Sequence, residues 1–238
     1  MTTAHPPLDA IFWNTLTGPH ARHASGVGGA RRYAAGFSPI IAFADPGAAD
    51  FAALTPFCAP GEVFYCEGWQ GDCPDGWRID AETTMLRMVW DPRVITVDSA
   101  PHAVALGPQH VDAAVALAAL CRPGPFGPRT IELGNYYGYL EGGDQGRLIA
   151  MAGQRMRVPG YTEISGVCTH PDAQGRGLAR QLMGKLIDQQ MQAGQLPFLH
   201  VMRANRQAHD FYERMGFVDY LESTVRVLSR IDTAPARA

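Results

Sequence analysis

A glycine-rich turn between a predicted strand and a predicted helix is the segment of this sequence best suited to chemistry. It reads Gln174-Gly175-Arg176-Gly177-Leu178-Ala179. Glycines let the backbone approach phosphate oxygens closely, and the start of a helix offers unpaired N–H groups and the positive end of the helix dipole. Arg176 and Arg180 add positive charge at the same place. The turn therefore predicts a binding site for a phosphate-bearing polyanion.

The residue types in this turn distinguish among phosphate-binding loops. A P-loop needs G-x-x-x-x-G-K-[ST], and the turn has neither the lysine nor the serine or threonine. The dinucleotide-binding pattern G-x-G-x-x-G would need a glycine at Arg180. The pattern that remains is Q-x-x-G-x-A, formed by Gln174, Gly177 and Ala179.

A second patterned segment follows a predicted strand at 197–201. It reads Asn205-x-x-Ala208-x-x-Phe211-Tyr212-x-x-x-Gly216-Phe217, and its apolar residues follow helical spacing. Asn205 is a favourable N-cap, and Gly216 suits the position after the last helical residue. One helix and one strand therefore separate the glycine-rich turn from this second helix.

Together the two segments resemble the GNAT acyltransferases, and the run from Tyr161 to Ala179 looks most like their FR47-like branch. Members of that family carry [R/Q]-x-x-G-x-[G/A] in the pyrophosphate loop and N-x-x-A-x-x-[FL]-Y-x-x-x-G-F in the second segment. The resemblance covers about residues 102–230. It implies a mixed α/β sheet of the GNAT type that binds acetyl-CoA as cosubstrate.

The resemblance also implies which residues bind acetyl-CoA. The main chain of the strand before the turn would hold the pantetheine arm, the turn would hold the pyrophosphate, and an asparagine would help to position the arm or a nearby water. The alternatives are an ordinary central strand, a structural turn and a simple N-cap. The residues concerned are Val167, Cys168, Thr169, Gln174, Gly175, Arg176, Gly177, Leu178, Ala179, Arg180 and Asn205.

Direct attack of a neutral amine on the thioester is the reaction that the resemblance implies. It needs removal of a proton from the ammonium, a polarised carbonyl and a proton for the leaving thiolate. Tyr212 matches a tyrosine that can act as general acid, and a phenol pKa near 10 suits that role. The alternative for Tyr212 is an aromatic residue packed on an amphipathic helix. An acyl-carrying Cys168 is less favoured than direct transfer.

Glu163 is the candidate base, acting through water, because family members often use an acid on this strand. Strand alternation predicts that Glu163 shares one face with Ser165 and Val167. A partly buried structural carboxylate is at least as good an interpretation of this residue. The sequence therefore leaves the identity of the base open.

Composition and charge exclude other classes of protein. Hydrophobic residues make up 46% of the 238-residue chain and the net charge is −3, which argues against a disordered or nucleic-acid-binding protein. The longest apolar run, near 111–121, is about half the length of a membrane span. The five cysteines show no C-x-x-C spacing, so we expect a cytoplasmic protein with neither disulfides nor a metal. His20 and His23 have ligand-like spacing, but a solvated loop is the favoured interpretation.

Two parts are predicted along the chain. Residues 1–100 form an N-terminal α/β subdomain of unknown function, which could be a degenerate GNAT-like copy, and 101–238 form the acetyltransferase domain. Predicted elements of the first part include strands at 40–44 and 63–66 and a helix at 48–57, whereas 83–90 is an apolar stretch. The predicted elements of the second part include a helix at 111–121 and a hairpin of strands 136–140 and 148–158.

The predicted activity is acetyl-CoA-dependent N-acetyl transfer to a primary amine. A small-molecule amine is favoured over a peptide or protein acceptor, and a homodimer is possible. Residues 1–110 carry a net charge of −5 from eleven acidic residues and six arginines, which would attract a cationic acceptor. The alternatives are a CoA-binding regulatory or interaction module without turnover, and transfer of a longer acyl group.

Overall fold

The computed structural model describes residues 4–94, 100–143 and 146–232. Its α-helices are α1 (Pro6–Asp9), α2 (Ile11–Thr17), α3 (Phe51–Leu54), α4 (Val111–Cys121), α5 (Leu178–Gln192) and α6 (Arg206–Met215). Its strands are β1 (Ala24–Ser25), β2 (Ala30–Tyr33), β3 (Ile40–Phe43), β4 (Val63–Glu67), β5 (Trp77–Trp90), β6 (Val104–Ala105), β7 (Tyr136–Glu141), β8 (Arg147–Val158), β9 (Tyr161–Thr169), β10 (Leu196–Met202) and β11 (Phe217–Arg230).

These eleven strands form one mixed sheet in the order β1-β2-β3-β4-β11-β5-β10-β9-β8-β7-β6. The central pair is β11 and β5, whose antiparallel register runs from Phe217 opposite Trp90 to Arg230 opposite Trp77. The sequence of parallel and antiparallel pairings, counted outward from this centre, is the same on both sides. The pairs β4–β11 and β10–β5 are antiparallel, β3–β4 and β9–β10 are parallel, and β2–β3 and β8–β9 are antiparallel. The order of pairings is therefore symmetric about β5 and β11.

The two parts of the chain exchange strands at this centre. Residues 1–100 contribute β1 to β5, and the remainder contributes β6 to β11. Strand β5 lies between β10 and β11, while β11 lies between β4 and β5. The described residues on both sides of residue 100 thus share one continuous sheet.

Alternate residues of the strands face different cores. In β5, Leu86 belongs to a core with α5, whereas Met85 belongs to a core with α2. In β7, Tyr137 packs against the α5 core, whereas Tyr136 packs in a cluster with α4. Helix α5 therefore covers one face of the sheet, here called the α5 face, and α2 and α4 cover the opposite face, here called the α2–α4 face.

The predicted helix at 111–121 and the predicted hairpin are confirmed, although Asp144 of its turn lies outside the described residues. The predicted helix at 48–57 is wrong. Helix α3 has only four residues and is followed by a 3-10 turn that contains Pro56, which lacks the N–H that would continue an α-helix. The apolar stretch at 83–90 forms a strand that begins earlier, at Trp77.

The expectation of a solvated loop is wrong for His20. Its side chain is 2% exposed, and its Nδ1 lies 2.8 Å from the hydroxyl of Tyr33. Burial, and after it the neighbouring Arg157, His23 and Arg22 side chains, lower the pKa of His20 to about 4. His20 is therefore a neutral, structural residue of the N-terminal part.

Candidate active site

The parallel strands β9 and β10 separate from one another in the middle of the sheet. They pair at three positions only, the last being Phe198 opposite Glu163, although β9 continues to Thr169 and β10 to Met202. On its other side β9 stays paired with β8 as far as Thr169 opposite Ala150. The separation leaves a wedge-shaped opening, and the β10-facing edge of 167–169 lies along it.

The predicted phosphate-binding turn lies at the wide end of this opening. Gly175 and Gly177 have φ angles of +77° and +75°, which L-residues adopt only with strain. A β-carbon at either glycine would meet no described heavy atom within 4 Å, so the turn is open. Gly177 is the N-cap of α5, and Leu178 is buried beneath the turn. The N–H groups of the first turn of a 15-residue helix therefore begin at an open, glycine-lined turn, which suits a pyrophosphate.

The two arginines of the turn differ in their surroundings. Arg176 pairs with Glu141 at 3.1 Å, and Glu141 also pairs with Arg147 at 2.9 Å. Both partners of the Arg176 pair are about half exposed, so the pair is weak and an anion could displace it. Arg180 is exposed on the first turn of α5. Gln174 and Ala179 complete the turn, Gln174 being exposed and Ala179 half-buried.

Helix α6 begins beside the same opening. The Oδ1 atom of Asn205 accepts a hydrogen bond from the N–H of Ala208 at 3.2 Å, so Asn205 is the N-cap of the helix. Gly216 ends α6 with φ +108°. The N-cap interpretation of Asn205 is confirmed, and a contact with the pantetheine arm stays a prediction.

Tyr212 lies on α6 with its ring in the α5-face core. Its ring centroid is 5.5 Å from that of Phe211 and 6.2 Å from that of Phe217. Burial, with a smaller contribution from the nearby Cys168 thiol, raises the pKa of Tyr212 to about 12. Its hydroxyl therefore stays protonated at neutral pH and can donate a proton or a hydrogen bond. The Cys168 thiol is itself buried, and burial raises its pKa, which makes it a poor nucleophile.

Glu163 lies at the last paired position of β9 and β10, where the opening begins. Its carboxylate accepts hydrogen bonds from Arg155 at 2.6 and 3.0 Å and from the N–H of Met156 at 3.1 Å, and it lies 2.8 Å from Nδ1 of His200. Burial alone would raise the pKa of Glu163, but the Arg155 cation and the hydrogen bonds from His200 and Arg155 outweigh burial and hold it well below its usual range. Glu163 is thus a buried, paired carboxylate, and its action as a base stays a prediction.

The predicted face of Glu163 needs a correction. Gly166 has φ +64°, and the register of β8 with β9 shifts on both sides of the pairs Gly153–Ser165 and Gln154–Ile164. Such an irregularity interrupts the alternation of side chains. Val167 accordingly packs in the α5-face core with Ile164, so Glu163 and Val167 do not share a face.

A buried polar network continues from Glu163 across the sheet. Arg87 Nε donates to Nε2 of His200 at 3.0 Å, which leaves the proton of the neutral imidazole on Nδ1, facing Glu163. Arg87 also donates to Oε1 of Glu67 at 2.5 Å and to the carbonyl of Leu8. Side chains from β8, β9, β10, β5 and β4 thereby link the two parts of the chain.

Sequence reasoning did not find Arg155, His200 or Arg87. A usable signal was present, since His200 is a single ionisable residue within the otherwise apolar strand Phe198–Met202. Ionisable residues are rarely buried without a partner. The pairing of these three residues, which lie on strands distant in sequence, could not be predicted from the sequence pattern.

The fold and the opening between β9 and β10 define an acyltransferase of the GNAT type, and the comparisons with known proteins agree. The model of the FR47-like protein family matches residues 136–227. A protein from Novosphingobium aromaticivorans DSM 12444, assigned to the GNAT family of acetyltransferases, is 33% identical; the match covers 96% of this chain and all of that one, with a TM-score of 0.83. This chain belongs to the GNAT family and is similar to its FR47-like branch.

More distant structures share the fold. A GCN5-related N-acetyltransferase from Kribbella flavida is 18% identical with a TM-score of 0.56, and the match covers 92% of this chain and 94% of that one. A GCN5-related N-acetyltransferase-like protein from Streptococcus suis is 15% identical with a TM-score of 0.57, and the match covers 93% of each chain. Among curated protein sequences, none matches this chain. No helix within the described residues is long and apolar enough to span a bilayer.

Proposed function

We propose that this acyltransferase moves an acetyl group from acetyl-CoA to a primary amine by direct attack. The observation that carries the proposal is the opening between β9 and β10, which leads to the glycine-lined start of α5. An extended pantetheine arm suits the β10-facing main chain of Val167, Cys168 and Thr169, and the pyrophosphate suits the turn from Gln174 to Arg180. Asn205 lies at the other wall of the opening.

The reaction needs a proton donor for the leaving sulfur, and Tyr212 can fill that role. Acetyl-CoA supplies the activated thioester. The amine nitrogen bonds to the carbonyl carbon, the carbon–sulfur bond breaks, the sulfur takes one proton and the nitrogen loses one. The protonated hydroxyl of Tyr212 can supply the proton to sulfur because its raised pKa keeps the proton on oxygen until a thiolate develops.

Two roles are proposed for Glu163, the candidate for the base that removes a proton from the amine. The paired carboxylate of Glu163 binds a proton weakly, which argues for a positioning role at the point where the strands separate. In that role Glu163 would fix Arg155 and the Nδ1–H tautomer of His200. Proton transfer from the amine through water to Glu163 remains the predicted alternative.

We infer that the acceptor is a small-molecule amine rather than a peptide. The net negative charge of residues 1–110 would attract a cationic acceptor of either class. The five free cysteines suit a reducing cytoplasm, and a homodimer remains a proposal. The symmetric order of strand pairings supports the idea that residues 1–100 are a degenerate GNAT-like copy. In that copy β3 and β4 would correspond to β9 and β10.

Release of free CoA thiol from acetyl-CoA, measured with a broad panel of amines, tests the proposed function. Gly177→Glu should remove binding of acetyl-CoA in calorimetry, because it places a carboxylate at the phosphates. Gly160→Glu is the matched control, since Gly160 also has positive φ, at +82°, and open space but lies in the β8–β9 turn. Equal affinity of the two variants would contradict the assignment of the turn. Acetyl-CoA binding without thiol release for any amine would favour the CoA-binding regulatory module instead.

A further inference from the structure

Tyr136 carries a buried hydroxyl that the structure leaves unsatisfied. The residue begins β7, and its side chain is 2% exposed. No described residue forms a hydrogen bond with its hydroxyl oxygen. A buried hydroxyl without a partner destabilises a fold, and most buried polar groups in proteins are paired. The hydroxyl of Tyr136 is therefore a candidate contact for a ligand.

Two glycines determine where this hydroxyl lies. The ring of Tyr136 crosses Gly153 of β8, where a β-carbon would lie 2.2 Å from the ring atoms. It ends at Gly166 of β9, where a β-carbon would lie 3.0 Å from Cε1 and 3.5 Å from the hydroxyl oxygen. Any side chain at Gly153 would displace the ring. The two glycines thus allow a side chain from β7 to reach β9, two strands away.

The Tyr136 hydroxyl lies next to the segment of β9, residues 167–169, that is proposed to bind the pantetheine arm. Gly166 immediately precedes Val167, and Tyr136 and Cys168 belong to the same cluster on the α2–α4 face. Tyr212 packs in the core of the opposite face, and the Cys168 thiol lies near enough to both tyrosines to affect their pKa values. The two tyrosines therefore approach the same stretch of β9 from opposite faces of the sheet.

The neighbouring charged groups already have partners. The Arg155 guanidinium and the Glu163 carboxylate form two hydrogen bonds with each other. Phe126, from the loop after α4, packs edge-on against Tyr136 with ring centroids 5.8 Å apart and offers no polar group. Burial raises the pKa of Tyr136, so its hydroxyl is neutral. A neutral hydroxyl beside satisfied ions and an aromatic ring suits an uncharged polar ligand.

We propose that the Tyr136 hydroxyl binds the acceptor amine, accepting a hydrogen bond from its N–H while the nitrogen lone pair attacks the thioester. The proposal rests on the proposed function, in which Tyr212 serves the sulfur from the α5 face. In that function the cosubstrate occupies the opening between β9 and β10 with Tyr212 on the α5 face, so we expect the amine to approach the carbonyl carbon from the α2–α4 face. A hydroxyl oxygen that accepts a hydrogen bond from the N–H leaves the amine lone pair available for attack, whereas a cationic group that donates to the nitrogen would occupy that lone pair.

Tyr136→Phe tests this proposal through two independent measurements. If the Tyr136 hydroxyl has no hydrogen-bond partner until substrate binds, its removal should leave the melting temperature of the substrate-free protein unchanged or raise it. Tyr33→Phe is the matched control, because Tyr33 is equally buried but its hydroxyl pairs with His20 at 2.8 Å, so this variant should melt at a lower temperature. A fall in the melting temperature of Tyr136→Phe as large as that of Tyr33→Phe would show a structural partner and overturn the proposal.

Kinetics supply the second measurement. We expect Tyr136→Phe to lower kcat/KM for the amine by about tenfold, the equivalent of one lost hydrogen bond, and to leave KM for acetyl-CoA unchanged. Tyr137→Phe, on the opposite face, should keep the wild-type kcat/KM for the amine. Unchanged kcat/KM in Tyr136→Phe overturns the proposal. If the wild type acetylates no amine, the proposed function fails; the melting comparison then still supports or overturns a ligand-facing hydroxyl.

Discussion

Replacing Arg87 by methionine should destabilise the whole sheet. Arg87 is fully buried, and its partner Glu67 has 9% of its side chain exposed, so the variant leaves a carboxylate in a low-dielectric interior without its cation. Removing one partner of a buried ion pair costs about 3–5 kcal/mol. For a chain of this length that corresponds to a melting temperature lower by roughly 6–20 °C. The loss should affect both parts of the chain together, because Arg87 also contacts His200 and Leu8.

Urea denaturation followed by fluorescence and far-UV circular dichroism measures this loss. Arg78→Met is the matched control on the same strand, since Arg78 pairs with Asp80 at 2.5 Å but has 64% of its side chain exposed. Exposed pairs contribute less than about 1 kcal/mol. The double variant Arg87→Met/Glu67→Gln should recover about 1–3 kcal/mol, because it removes the orphaned charge. Equal losses for Arg87→Met and Arg78→Met, or no recovery in the double variant, would refute the reasoning.

Two further predictions concern the proton donor and acid stability. Tyr212→Phe should lower kcat by at least about tenfold while changing KM for acetyl-CoA less, because only proton transfer is lost; unchanged kcat in steady-state assays would remove Tyr212 from the mechanism. His20 has a pKa of about 4 when folded and near 6.5 when unfolded, so the unfolded chain binds more protons between these values and stability falls as pH is lowered through that window. His20→Gln should flatten the dependence of unfolding free energy on pH between 6.5 and 4; an unaltered slope would contradict the assignment.

The glycine turn at the start of α5 was predictable from sequence because its signals are local. Positive φ at Gly177, a helix start and the apolar spacing of α5 depend on residues within one short segment. The same is true of the cap at Asn205 and the end of α6 at Gly216. Conformational preferences of glycine and of capping residues act over a few residues, so the sequence pattern contains them.

The remaining features depend on contacts between distant segments. Strand β11 lacks a simple apolar alternation because it lies inside the sheet between β4 and β5 and carries polar side chains such as Ser223, which donates to Glu67. The irregularity at Gly166 lies where the ring of Tyr136, from a strand distant in sequence, comes within 3.0 Å of an added β-carbon. Alternation on an ideal strand predicted the wrong face for Val167, since a bulge needs tertiary information to be placed.

The exchange of strands at the centre of the sheet has a consequence for the order in which the protein is made. Strands β4 and β5 are synthesised in the first part of the chain, but the strand that joins them, β11, ends at Arg230. Until β11 has left the ribosome, β4 and β5 each expose an unpaired strand edge, and unpaired edges promote association between chains. The N-terminal part of the sheet is therefore completed only when β11 is added, and removal of β11 would expose strand edges in both parts of the protein at once.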